Sequence, residues 1–112
     1  FARDNNLDYD ASGEIIVSSG AKQVLYEALC VLLNPGDEVI LPSPCWVSYP
    51  EMVRMAGGVP VFAPADPDKG FVFTAEDLRP YVTEKTKALM INSPSNPNGC
   101  ILSREILQGI AD

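Results

Sequence analysis

The feature that most constrains this chain is a regular alternation. Short aliphatic runs bounded by Gly, Pro, Asn and Ser are followed each time by a stretch with helical spacing. The runs are "EIIVSSG" (14–20), "EVILP" (38–42), "VPVFA" (59–63) and "TKALMINS" (86–93). Runs of this length, rich in β-branched residues, read as buried strands. Between them, Val24, Leu25, Ala28, Leu29, Leu32 and Leu33 fall at helical spacing over 20–33, until "NPGDE" ends the pattern. A second helix is expected at about 49–56, stopped by Gly57 and Gly58. Thr74 ahead of Glu76 and Asp77 supplies a cap and first-turn acids for a short helix "AEDLRPYV". Ser103, with Ile106, Leu107 and Ile110, opens the last helix, and "FARD" at 1–4 reads as the final turn of another. Strands alternating with helices predict an α/β domain with a largely parallel sheet, in three α/β/α layers.

Composition narrows the partners. The 112 residues are 46% hydrophobic, enough for one domain with its own core, and carry a net charge of −7. That charge argues against nucleic acid and anionic membrane surfaces. No apolar run reaches the ~20 residues of a membrane span, and "FARDNN" has no signal-peptide core, so the chain reads as soluble. Cys30, Cys45 and Cys100 are odd in number, widely spaced and never in a CxxC pair. This favours unpaired thiols in a reducing compartment, and the expected location is the cytoplasm.

In open α/β sheets ligands sit beyond the carboxyl ends of the strands, so the residues after each run carry the functional information. After the first run, "SSGAK" places small residues on a turn into a helix, where free N–H groups and the dipole favour an anion such as phosphate. A tight turn needing small residues for close packing explains the same stretch, and neither GxGxxG nor a Walker A pattern is present. After the second, "PSPCWVSYP" puts the single tryptophan, Trp46, on a loop between prolines. It is either a flat face for stacking on a planar ring or a loop residue folded over the core edge. After the last, "SPSNPNG" offers the Asn96 carboxamide, either as a ligand group or as the side chain of an Asx turn. With no histidine and no paired carboxylates, Asp8, Asp10, Asp66, Asp68, Glu76 and Asp77 being solvated loop and helix-start charges, any chemistry rests on a bound cofactor.

Taken together and in this order, "SSGAKQVLYEALCVLLNPGDEVILPSPCWVSYPEMVRMAGGVPV" and "TKALMINSPSNPNG" resemble the class I/II pyridoxal-phosphate aminotransferases of the aspartate aminotransferase type, fold type I. The resemblance runs from about residue 14 to 111. It implies a piece, residues 1–112, of the large cofactor-binding domain, lacking that domain's later strands. It further implies that Gly20, Ala21 and Lys22 give backbone donors to the cofactor phosphate. Trp46 would stack on the pyridine ring, and Asn96 would bond the ring's phenolic oxygen, both also lying near the substrate. Ser43-Pro44 and Asn96-Pro97 match positions that are commonly cis in the family. The substrates implied are an amino acid, aspartate among the candidates, and a 2-oxo acid, and the whole enzyme is expected to be a homodimer.

Two residues depart from the pattern: Cys45 stands where relatives usually have tyrosine, and Asn98 where most have threonine. No residue matches the family's cofactor-binding lysine, since Lys22, Lys69, Lys85 and Lys87 lie elsewhere, so no catalytic residue is assigned and this piece alone is expected to be inactive. A strand missing between the one ending at Pro42 and the one ending at Ser93 is also expected, leaving open edges that favour self-association or a different strand order. Two other readings of the residues remain: a phosphate- or nucleotide-binding α/β module using only "SGAK", and a non-catalytic association fragment.

Overall fold

The computed structural model describes residues 2–112, so Phe1, assigned above to a terminal helical turn, lies outside the described residues. The helices are α1 (Ala2–Asn5), α2 (Ala21–Leu32), α3 (Ser48–Met55), α4 (Ala75–Leu78) and α5 (Arg104–Ala111). The strands are β1 (Glu38–Ser43), β2 (Val59–Pro64) and β3 (Thr86–Leu89), and single 3-10 turns lie at Pro67–Lys69 and Arg79–Tyr81.

β1 is the middle of a parallel sheet ordered β2-β1-β3. Its position follows from its sequence: an unbroken aliphatic run is stable only where both faces are covered. Successive side chains of a strand point to opposite faces. Val39 and Leu41 accordingly join Leu29 and Leu33 (from α2 and its C-cap) and Met52 and Val53 of α3 in one cluster. Ile40 joins Ala63, Phe73, Leu78 and Leu102 in the other, with Ile106 and Ile110 of α5 packed against it. Three layers therefore exist around three strands. At Gly58 the backbone runs so close to α2 that a Cβ would lie 2.8 Å from Leu33 Cδ1 and 3.1 Å from Val53 Cγ1. Only glycine permits that approach without repacking.

The caps form as the sequence indicates. The Asp77 carboxylate accepts hydrogen bonds from the Thr74 N–H (2.9 Å) and hydroxyl (2.8 Å). Ser103 Oγ accepts from the Ile106 N–H at 3.3 Å.

Two expectations fail. The run at 14–20 forms no strand, and Ile15, Ile16 and Val17 are 54%, 72% and 88% exposed. A β-branched run becomes a strand only by joining a ladder, and none of β1–β3 pairs with it. The gap for a missing strand, expected between the segments ending at Pro42 and Ser93, does not exist. β1 pairs directly with β3, Ile40 opposite Leu89, through a register shift at Glu38/Val39. The last strand is also shorter than its apolar run. It ends at Leu89, although the Met90 N–H still reaches Ile40 O at 3.0 Å.

Candidate functional site at the carboxyl edge of the sheet

Parallel pairing of β1 and β3 brings two of the three exits to one edge. Counting three residues past the Ile40–Leu89 pair places Ser43 and Asn92 where the loops 43–47 and 92–100 begin. Ser43 closes β1 and Asn92 lies three residues past the end of β3, both at the carboxyl edge, where open α/β sheets bind ligands. Cis peptides occur at Ser43-Pro44, Ser93-Pro94 and Asn96-Pro97.

The third exit joins them through a contact absent from the sequence expectations. Lys22 Nζ of α2 lies 4.7 Å from the centroid of the Trp46 ring, a cation–π geometry. This ties the start of α2 to the loop after β1. Trp46 itself is half-buried against the Val39/Leu41 core and meets Tyr49 edge to face, with centroids 5.4 Å apart and planes at 89°. It is thus both a core-edge residue and a positioned ring, so the two sequence alternatives coincide. Burial pushes the Cys45 thiol up, and it does the same to the Tyr49 hydroxyl, with the neighbouring Cys45 adding to the effect.

At the head of α2, Gly20 adopts φ 98°, ψ 162°, a conformation that L side chains rarely take, and a Cβ there would meet nothing within 4 Å. The open space and the first-turn N–H groups of Ala21 and Lys22, which precede the first intrahelical bonds, fit a small anion. Gly20's own N–H is engaged, donating to Ser18 O at 2.7 Å, and Ser19's donates to Gln23 Oε1 at 3.3 Å. The donors that remain are those of Ala21 and Lys22.

The "SPSNPNG" loop is held by its own polar groups. Asn92 Oδ1 accepts from the Asn96 N–H (2.9 Å), Asn98 Oδ1 from the Cys100 N–H (2.9 Å), and Ser93 Oγ from the Leu102 N–H (3.0 Å). Turn-stabilising duty therefore falls on Asn92 and Asn98. The Asn96 carboxamide is exposed and makes no hydrogen bond among the described residues. The sheet register places the Asn96 and Trp46 loops at one edge.

Chemically, the edge offers a helix-start anion site, a flat aromatic face, a cation on that face and an amide. Among the described residues all four lysines are exposed and no carboxylate is buried. No group of at least three His, Cys, Asp or Glu with metal-holding geometry occurs among the described residues. Sequence reasoning missed the Lys22 side chain, Tyr49 and Asn92. Tyr49 had a signal, since it follows Trp46 by three residues at the start of a helix. The Lys22–Trp46 contact had none, spanning two elements whose relative placement is a tertiary property.

These features set a helix start, an aromatic ring and a carboxamide at one edge of an α/β frame. The model of the family "Aminotransferase class I and II" matches residues 1–112, and the chain belongs to that family. The aspartate aminotransferase of Bacillus sp. (strain YM-2) is 56% identical over 111 residues, 99% of this chain and 28% of the relative. The probable aspartate/prephenate aminotransferase of Aquifex aeolicus is 50% identical over 98% of this chain and 28% of its own length. Among solved structures, the aromatic aminotransferase from Pyrococcus horikoshii superposes with a TM-score of 0.95 at 41% identity, covering 99% of this chain and 30% of that one. The chain therefore spans about 28% of the length of the curated relatives it matches.

Proposed function

We propose that this chain forms one wall of the cofactor site of a pyridoxal-phosphate aminotransferase, which moves an amino group between an amino acid and a 2-oxo acid and works as a homodimer. The observation that carries this is the Lys22–Trp46 contact, which sets the start of α2 and its free N–H groups beside the Trp46 ring. In this reading the Ala21 and Lys22 N–H groups hold the cofactor phosphate, with Gly20 providing the turn that exposes them. Trp46, braced by Tyr49, presents a flat face to the pyridine ring, and Asn96 offers its carboxamide to the ring's phenolic oxygen. When bound, the cofactor supplies an electron sink for the substrate's α-carbon, and these residues supply position and electrostatics. No lysine of this chain is buried beside Trp46 and Asn96 to hold the cofactor covalently, so the chain alone is inactive in this proposal.

The relatives named for aspartate support an acidic amino acid as substrate. The Lys22 ammonium on Trp46 is the cation in this edge that would face its side-chain carboxylate.

Pyridoxine 5′-phosphate tests the site, because it lacks the aldehyde that would react with surface lysines. It should quench Trp46 fluorescence and shift the amide resonances of Ala21 and Lys22 but not those of α5. Trp46→Phe should weaken the amide shifts, and Gly20→Val should abolish them while leaving the fold's circular dichroism unchanged. A ligand that moves α5 amides and leaves Ala21, Lys22 and Trp46 unperturbed would overturn the assignment.

A further inference from the structure

β3 ends before the 92–100 loop begins, and one side chain carries the position of the sheet into that loop. The Met90 N–H donates to Ile40 O at 3.0 Å, so the segment is still fixed to β1 at that residue. Asn92 follows two residues later, and its Oδ1 accepts the Asn96 N–H at 2.9 Å. The bond spans Ser93, Pro94 and Ser95 and ends on the backbone from which the Asn96 side chain leaves.

The other bonds of the loop do different work. The Gly99 N–H donates to Ser95 O at 2.8 Å and the Ser95 N–H to Cys100 O at 2.8 Å, which fastens the two sides of the turn to each other. Ser93 Oγ, accepting the Leu102 N–H at 3.0 Å, ties the loop's entry to its exit beside the buried Leu102. On the far side of Asn96, Pro97 has no N–H and a φ fixed by its ring. The peptide plane that enters Asn96 is therefore set by the Asn92 oxygen. A group that meets a ligand must be held to within about 0.5 Å and 10–20°, and hydrogen bonds behind it are what hold it.

We propose that Asn92 is a positioning residue of the cofactor site: by holding the Asn96 N–H, it aims the Asn96 carboxamide at the phenolic oxygen of the cofactor. This rests on Asn96 being the group that meets that oxygen. Asn92 acts through its acceptor oxygen, not through bulk, and touches neither cofactor nor substrate.

Two readouts in the whole enzyme test this, one of them free of ligand. Asn92→Leu keeps the size of the side chain and removes the acceptor, so hydrogen exchange resolved to the Asn96 amide should become about five- to tenfold faster. Asn92→Asp keeps an acceptor in the same place and should leave that amide protected. The second readout is the ultraviolet titration of the phenol of bound pyridoxine 5′-phosphate. A donor aimed at the phenolate keeps that phenol acidic, so Asn92→Leu and Asn96→Ala should each shift the midpoint upward. In the Asn96→Ala background, Asn92→Leu should add nothing, because it acts through that carboxamide. An Asn96 amide whose exchange is indifferent to Asn92→Leu overturns the proposal. So does a further upward shift in the double variant, or a phenol that Asn96→Ala moves and Asn92→Leu does not. A phenol unmoved by Asn96→Ala itself would remove the assignment of Asn96, and the proposal with it.

Discussion

The Lys22 ammonium sits over the face of the Trp46 ring at 4.7 Å, joining the first turn of α2 to the loop that leaves β1. Lys22 is exposed and Trp46 half-buried, so the contact lies at the water boundary, where a cation–π pair contributes about 0.5–1 kcal/mol. Replacing Lys22 with Met keeps the aliphatic stem and removes the charge. Lys22→Met should lower stability by no more than about 1 kcal/mol. It should also shift the emission of Trp46, the sole tryptophan, without changing helix content. An unshifted spectrum would show that the ammonium does not dwell on the ring in solution.

Packing around β1 should separate sharply by position. Leu41 is fully buried between β2, β3 and the first helical layer, and Leu41→Ala should cost about 2–5 kcal/mol through lost burial and a residual cavity. Val31, on the outer face of α2 and 86% exposed, should tolerate alanine within about 0.5 kcal/mol. Gly58→Ala should cost about 1–3 kcal/mol by the opposite route, because the new methyl meets Leu33 and Val53. Urea unfolding of the three variants measures these differences directly.

The acid side of the stability profile should respond to Asp77. The Thr74 hydroxyl and then the Thr74 N–H, both donating to its carboxylate, hold Asp77 below the ordinary aspartate value of 3.8. A lowered folded-state pKa means the stabilisation is fully present above that unfolded value and is lost as pH falls through the folded one. Asp77→Asn should therefore reduce stability at neutral pH and flatten the part of the acid decline that lies below about pH 4. Thermal melts from pH 7 to pH 2 report it, and parallel curves for the two proteins would rule out the cap as a titrating element.

Thiol chemistry offers a check on the loop beside Trp46. Cys30 is exposed on α2, whereas burial raises the Cys45 thiol above its ordinary value, leaving less thiolate at neutral pH. Alkylation followed by peptide mass spectrometry should label Cys30 first, with Cys45 trailing and catching up as pH rises. Faster labelling of Cys45 than of Cys30 would mean that the loop opens readily.

Much of this architecture was legible in the residues. The three runs that became β1, β2 and β3 were marked by length, β-branching and turn residues, and the caps at Thr74 and Ser103 by their acids and spacing. The helix at 20–33 appeared as α2, Ala21–Leu32. The failures share a cause. Residues 14–17 have the composition of a buried strand, and the strand order was misjudged. Both depend on which edges meet, which is a property of pairing and not of local preference. At the site, Gly20, Ala21, Trp46 and Asn96 were visible because each breaks a local pattern. Asn92 was not, because its role is to bond the backbone of a residue four positions on, and that bond exists only in the folded loop.

By itself, the sequence determined where this chain can be helix or strand, which face of each element is apolar, and that its unusual residues cluster after strand ends. Those follow from periodicity and from the conformational limits of glycine and proline. Only the tertiary structure decided that β1 lies between β2 and β3 and that Lys22 meets Trp46. Each is a long-range contact, set by competition among edges and faces for burial, and no stretch of residues carries that outcome alone.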